Sequence, residues 1–261
     1  MVVHITYKND AFFKYTVGTN DKDSKKIRRF IIQFLLEKRL HFIDCTNPEI
    51  VPEMIRDKSI ILDTFIERKD MIIDIEMQNT PLNRFQYQRF QYYHSRLITK
   101  QLERGDDYNK IKDVYQIIFV DDTDQNQLVS TYVLKENTPI SHHLIHMIIV
   151  NIPYIESIIN HKKKLNAFEA MICLFHRQSL EGIKYEDKGG IIKMIKEKYH
   201  YFVREPELAE SAKYREYQRI NYEAMKESEI EEAKKQQKEI SLKEGIDKGI
   251  IYVARNIMLA Q

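Results

Sequence analysis

The spacing of apolar residues changes several times along this chain, and each change marks a predicted element. Ile27, Phe30, Ile31, Phe34 and Leu35 recur at helical spacing, so Lys25 to Leu40 read as an amphipathic helix capped by Asp23 or Ser24. Asp10-Ala-Phe-Phe-Lys14 opens a shorter amphipathic segment before it. Pro48 to Glu53 read as a strand start or a connection. Ile60 to Ile66 and Met71 to Met77 then form two short runs rich in Ile, Leu and Phe, joined by the charged Glu67-Arg-Lys-Asp70, the pattern of a β-hairpin. After Pro81-Leu-Asn83 a helical pattern runs to about Glu103 and stops before Gly105, and Val114 to Val120 read as a buried strand. Leu128 to Leu134 and Leu144 to Ile152 add strands. From Tyr154 to about Tyr201 the period is helical again, with Phe168, Met171, Ile172 and Phe175 on one face.

Helix, strand, strand, helix, strand is the order of an α/β (α+β) unit, a mixed β-sheet flanked by helices. Glu205-Pro206 reads as a boundary. The expected organisation is a core over 1–135, a mainly helical extension over 136–205, and a charged helical C-terminal region over 206–261. Leu208 to Lys243 are dense in Glu, Lys, Gln and Ala, which predicts a long solvated helix, or one that pairs with a second copy of the chain as a homo-oligomer.

Composition narrows the class. With 261 residues, 43% hydrophobic, the chain has material for one good core and a smaller unit. Charged residues make up 31% and the net charge is +2, which neither demands nor excludes nucleic acid. Cys45 and Cys173 stand in no CxxC or Cys/His spacing, so a reduced chain without a structural zinc is expected. No apolar run approaches the ~18–20 residues of a membrane span, and the N-terminus lacks a signal-peptide core. The expected localisation is cytoplasmic, with no membrane partner.

The chemistry concentrates in the hairpin. If its turn centres between Lys69 and Asp70, Asp63 faces Glu76, because cross-strand partners share one index sum. Such partners have Cβ atoms roughly 4.5–5.5 Å apart, where two carboxylates repel and a divalent cation is the natural neutraliser. A slip of one residue would send the two acids to opposite faces. Asp74, Glu76 and Gln78 share one face of the second strand, and Ile73, Ile75 and Met77 share the other. Asp63, Glu76 and the backbone carbonyl of Met77 make a hard oxygen set suited to Mg (or Mn), and Gln78 is placed to orient a nucleophile or a phosphate oxygen. Asp74 is expected to be an exposed acid or one that stands behind the acid pair and supports it. The helix over Arg84 to Arg96 interleaves basic and aromatic residues and is the best candidate for facing nucleic acid, with Phe90, Tyr93 and Leu97 in the core. His142, His143 and His146 lack an acid or Cys at ligand spacing and read as plain strand or surface histidines. Lys162-Lys163-Lys164, and Lys25-Lys26 with Arg28-Arg29, are solvated faces that can also contact phosphate.

Taken in order, Asp10-Ala-Phe-Phe-Lys14, Lys58-Ser59 with Asp63, Ile75-Glu76-Met77-Gln78, Arg89-Phe-Gln-Tyr-Tyr93 and Gln101-Leu-Glu-Arg-Gly105-Asp-Asp-Tyr108 resemble the PD-(D/E)XK nuclease-family transposases. Within that group the chain is most similar to the recombination-promoting nucleases (Rpn). The resemblance spans roughly residues 8 to 122 and continues weakly through Ala233 to Gly249. It implies a restriction-endonuclease-like core and magnesium-dependent endonuclease action on DNA. By the same resemblance, Asp63 and Glu76 are the metal-binding acids and Gln78 stands at the usual lysine position. Asp10 and Lys14 match an N-terminal motif that supports the metal or phosphate, while Arg89 and Gln101 are supporting or DNA-contacting candidates. A second reading is a catalytically weak or inactive DNA-binding, oligomerising regulatory protein on the same fold. An RNA nuclease would share the metal chemistry.

Overall fold

The computed structural model of the protein describes residues 4–40, 44–45, 49–50, 60–61, 63–80, 82–122, 126–133 and 145–259. His142, His143, Lys58 and Ser59 lie outside them. Helix α1 (Asp10–Gly18) starts where the Asn9 side chain accepts from the Phe12 N–H, and Asp10 occupies the first turn, where its charge suits the helix dipole. Helix α2 (Lys22–Leu36) begins earlier than expected because its cap is Asp21, which accepts from the N–H groups of Asp23 and Ser24. Both residues expected as caps therefore sit inside the first turn. Ile27, Ile31 and Ile32 form its buried stripe, while Phe34 stays largely exposed and stacks on Phe168.

The hairpin departs from expectation in one of its strands. Ile60–Ile61 is a separate short strand, β2, paired antiparallel with β1 (Glu49–Ile50). Only β3 (Phe65–Glu67) pairs with β4 (Met71–Gln78), so the run expected from Ile60 to Ile66 is broken at Asp63. At the break the side chains take over from the ladder: the Met77 N–H donates to the Asp63 carboxyl instead of a strand carbonyl, and the Asp63 N–H donates to Glu76 Oε1. β4 then runs parallel to β5 (Asp113–Val120), β5 parallel to β7 (Ile145–Asn151), and β6 (Val129–Val133) antiparallel to β7. The mixed five-stranded sheet has the order β3-β4-β5-β7-β6. Because β7 lies between β5 and β6, the sheet does not end at residue 135. His146 sits in β7 and stacks on Tyr115 at 4.2 Å.

Helix α3 (Arg84–Thr99) makes the crossover from β4 to β5, capped by a reciprocal Asn83–Gln86 box. It ends before Glu103 because Gln101 turns the chain back. The Gln101 amide donates to Lys112 O and its oxygen accepts from Lys112 N–H, and Gly105 takes φ +96 in the turn between them. Helices α4 (Ile155–His161), α5 (Ala167–Arg177), α6 (Ile191–Arg204) and α7 (Pro206–Leu259) follow.

Parallel strands covered on both faces read as nearly continuous apolar runs, and β4 is buried along its whole length. One face, with Ile73, Ile75, Ile117 and Phe119, packs on the large core that also holds Phe12 and Phe13 of α1, Ile31 of α2, Phe175 of α5 and Ile195 of α6. On the other face Ile72 and Val114 meet Leu97, and Ile118, Val120 and Ile149 meet Phe90, so α3 is the helix that covers that side among the described residues. The polar face formed by Asp74, Glu76 and Gln78 lies on this α3 side. The core extends to Ala209 and Ala212, past the expected boundary at 205/206, and the compact unit spans His4–Ala212. The remainder of the 54-residue α7, from Lys213 onward, is a second unit that exposes Tyr214, Tyr217, Met225 and Leu242. Among the described residues no helix is long and apolar enough to cross a membrane.

Arg28 is fully buried and holds the join between α1 and α2: it donates to Val17 O at 2.6 Å, to Thr19 O, and to Asn20 Oδ1 at 2.9 Å. Removing it takes the guanidinium donor from the buried Val17 carbonyl and unties the half-buried Thr19 carbonyl and the Asn20 side chain from α2. We expect Arg28→Met to destabilise the protein by about 2–4 kcal/mol in denaturant titrations; a variant as stable as the parent would show that the clamp is dispensable.

Candidate active site

Four elements converge at the C-terminal end of β4. Asp10, Lys14 and Gly18 fall at successive four-residue steps of α1 and so share one face. That face lies against the start of β3. A Cβ on Gly18 would stand 3.1 Å from the Asp63 carbonyl oxygen and 3.4 Å from Lys14 Cγ, so the absence of a side chain lets the helix end settle on the Asp63 backbone.

Asp63 and Glu76 are locked together by a reciprocal pair of bonds. The Asp63 N–H donates to Glu76 Oε1, and the Met77 N–H donates to Asp63 Oδ2, each at 3.1 Å. The observed ladder pairs Phe65 with Asp74, Ile66 with Ile73 and Glu67 with Ile72, and the Ile75 N–H donates to Thr64 O. Every pair sums to the index expected from a turn centred between Lys69 and Asp70, and Asp63 stands against Glu76 just beyond the last ladder rung. Within a strand, the N–H and C=O of one residue point to the same side. Met77 therefore turns its carbonyl toward the Asp63 edge, whereas the Gln78 carbonyl is on the β5 side and accepts from Asp121 N–H.

Behind these acids the site is closed. Of the two places expected for Asp74, exposed or behind the acid pair, the structure shows the second: it is fully buried, because α3 covers the face it shares with Glu76 and Gln78. It accepts from Gln116 Nε2 at 3.2 Å, and its carboxyl lies within hydrogen-bonding reach of Glu76. Gln78 is clamped at both ends of its amide: Arg89 Nη2 of α3 donates to Oε1 at 2.5 Å, and Nε2 donates to Thr80 Oγ1. Arg89 in turn lies over the rings of Phe90 and Tyr93. The structure thus brings Asp10, Lys14, Asp63, Glu76, the Met77 carbonyl, Gln78 and Arg89 to one place. Gln101 is elsewhere. Its partner Lys112 precedes Asp113, which pairs with Met71, so Gln101 stands at the far end of β4, about 23 Å of strand from Gln78.

The sequence reading missed three contributors. Gly18 continues the Asp10, Lys14 spacing by one further step, a signal legible in principle. Thr80 and Gln116 carry none, because a short hydrogen-bonding residue in a loop and a glutamine in an apolar strand become partners only through the tertiary register.

Electrostatics set the chemistry. Burial raises the Asp63 carboxyl to about 7, the nearby Asp10 charge adds to the rise, and the Met77 N–H, Lys14 and Arg89 oppose it. Burial likewise raises Asp74 to about 8, against the Gln116 hydrogen bond and with the Asp63 charge. Glu76 is pushed well above the ordinary carboxylate range by burial and then by its neighbours Asp74 and Asp63. Three acids so placed are under-compensated by Lys14 and Arg89. Asp74 Oδ1 is buried without a hydrogen-bond donor. Among the described residues no three His, Cys, Asp or Glu side chains are grouped to enclose a metal. A cation here would rest on two carboxylates and one backbone carbonyl, an all-oxygen set that fits a hard divalent ion and leaves its other positions to water and substrate.

A family model described as PD-(D/E)XK nuclease family transposase matches residues 7–242. No curated protein and no solved structure matches the chain. The mixed sheet with helices on both faces is consistent with a restriction-endonuclease-like α/β fold.

The raised carboxyls give a pH dependence of definite sign. A carboxyl that titrates higher folded than unfolded adds stability while protonated, and loses it as pH climbs from about 4 through the folded values near 7 and 8. In chelator, the thermal midpoint should fall between pH 5 and pH 8, and Mg²⁺ or Mn²⁺ should restore it at pH 8 far more than at pH 5, where protons compete for the same oxygens. A midpoint indifferent to both pH and cation would contradict this account of the site.

Proposed function

This chain belongs to the PD-(D/E)XK nuclease family transposases, and on that premise we propose that it is a divalent-metal-dependent DNA endonuclease working at the Asp63–Glu76 cluster. The observation that carries the reading is the reciprocal bonding of Asp63 and Glu76, which holds two acids side by side at the open end of a strand. Asp63, Glu76 and the Met77 carbonyl would hold the cation. Bound there, Mg²⁺ or Mn²⁺ supplies Lewis acidity at a phosphate oxygen and an acidified water.

The remaining groups position and neutralise. Arg89 occupies the oxygen of the Gln78 amide, so Gln78 presents N–H to water or phosphate and cannot serve as a proton acceptor of useful strength. Arg89 and Lys14 oppose the charge of Asp63 and can meet that of the phosphate. Arg84, Phe85 and Tyr92 lie on the exposed side of α3, where cationic and aromatic groups suit a nucleic-acid strand passing the site. The narrower placement among recombination-promoting nucleases and a cytoplasmic location, supported by the two free cysteines, belong to the same reading. The exposed tyrosines and aliphatic residues of α7 favour, as a second reading, a DNA-binding protein whose α7 pairs with another copy.

Cleavage of duplex DNA should require Mg²⁺ or Mn²⁺ and stop in chelator. Asp63→Ala and Glu76→Ala should each lower the rate by about 10²–10³-fold or more, the scale on which loss of one transition-state stabiliser is felt. Arg89→Ala, acting through Gln78, should cost about 10–100-fold. Undiminished cleavage by Asp63→Ala would move the chemistry elsewhere; binding without cleavage in the parent protein would favour the second reading.

A further inference from the structure

A second cationic feature lies away from the acid cluster. The loop between α4 and α5 and the loop after α5 enclose a depression of about 430 Å³ whose rim carries Lys162, Lys163, Lys164 and Lys184, with Leu165 and Ile183 in its floor. Four ammonium groups around one hollow repel each other, and only part of that repulsion is cancelled. Lys162 is held by Glu169 at 2.7 and 2.8 Å, and Lys164 by Glu186 at 3.1 Å. Lys163 and Lys184 are exposed and, among the described residues, have no carboxylate partner.

The walls are built. Leu165 N–H donates to Lys184 O and Glu186 N–H donates to Leu165 O, which ties the two loops into a short parallel bridge. Glu169, the residue that holds Lys162, is also the third residue of α5 and closes its cap by accepting from Asn166 N–H. The lysines are therefore presented on a fixed frame and need little ordering to receive an anion.

Their place in the fold bounds how far they stand from the acid site. Gln78 pairs with Val120, and Val120 with Asn151, so the acid site and the end of β7 share one edge of the sheet, about 10 Å apart. From Asn151 the chain reaches Lys163 through the seven residues of α4 and short joins, on the order of 30 Å at most. By this path the depression lies no more than roughly 40 Å from Gln78, within the length of a short duplex seated at the acid site. We propose that this lysine-rimmed depression is a backbone contact for duplex DNA, on the flank of the strand held at the acid site. The proposal rests on the endonuclease reading for its choice of ligand, but not on cleavage.

The test is binding of a labelled duplex by the full chain in chelator, followed by fluorescence anisotropy across a salt series. Removing one lysine–phosphate pairing should reduce the slope of log affinity against log salt by about 0.9, so Lys163→Ala/Lys184→Ala should lower it by roughly 2 and weaken binding on the order of tenfold to thirtyfold near 0.15 M salt. Lys163→Arg/Lys184→Arg should keep the parent slope, and an unchanged thermal midpoint checks folding. An alanine variant with the parent's slope and affinity overturns the proposal, as does lysine-dependent binding of duplex RNA without binding of DNA. If Asp63→Ala cleaves normally while the double alanine variant shows the reduced slope, the catalytic assignment fails and the backbone contact stands.

Discussion

The exchange of hydrogen bonds between Asp63 and β4 is the constraint on which the site depends. By spending its N–H on Glu76 and receiving the Met77 N–H, Asp63 ends the β3 ladder and fixes both carboxyls in one step. Had the ladder run on past Asp63, a backbone carbonyl would have met the Met77 N–H and the Asp63 carboxyl would have been released from it. The break also leaves the Met77 carbonyl beyond the reach of β3. A strand that stops one residue early thus creates both the acid pair and the third oxygen.

The α3 cover adds the second condition. Carboxyls are rarely buried without charge compensation, because desolvation opposes ionisation. Here Asp74 lies at the bottom, Glu76 beside it and Asp63 toward solvent, so protonation is favoured most where water is least available. Lys14 from one layer and Arg89 from the other meet that charge from opposite sides of the sheet. Neither layer alone encloses the site.

Much of this was legible in the chain. The hairpin index sum followed from placing a charged four-residue turn between two apolar runs, and the observed pairing keeps it. What could not be read was the depth of the polar face. Alternation of Ile with Asp, Glu and Gln looks the same whether the polar side meets water or a helix, and only the β4–α3–β5 crossover decides that it meets α3. The start of α2 escaped for a similar reason, since Asp21, Asp23 and Ser24 can all cap and the choice belongs to Asp21, which also binds Lys198 of α6. Gln101 was drawn toward the site by its place in a motif, yet its bonds to Lys112 make it a fastener at the opposite end of the sheet.

The site draws on α1, the chain entering β3, the end of β4 and α3, and the edge it occupies is closed by an ion pair between Lys8 and Asp121, 113 positions apart in sequence. None of these parts is local to another, and two of the strand pairings that align them are parallel. Nonlocal, parallel pairings form late when a chain folds. Asp63 and Glu76 can meet in a hairpin, but the helix that brings Lys14, the helix that brings Arg89 and the cover over Asp74 arrive only with the completed sheet. A half-made chain leaving the ribosome therefore carries the acids without their surroundings, and the enclosed acid cluster comes into being last, as a product of finished folding.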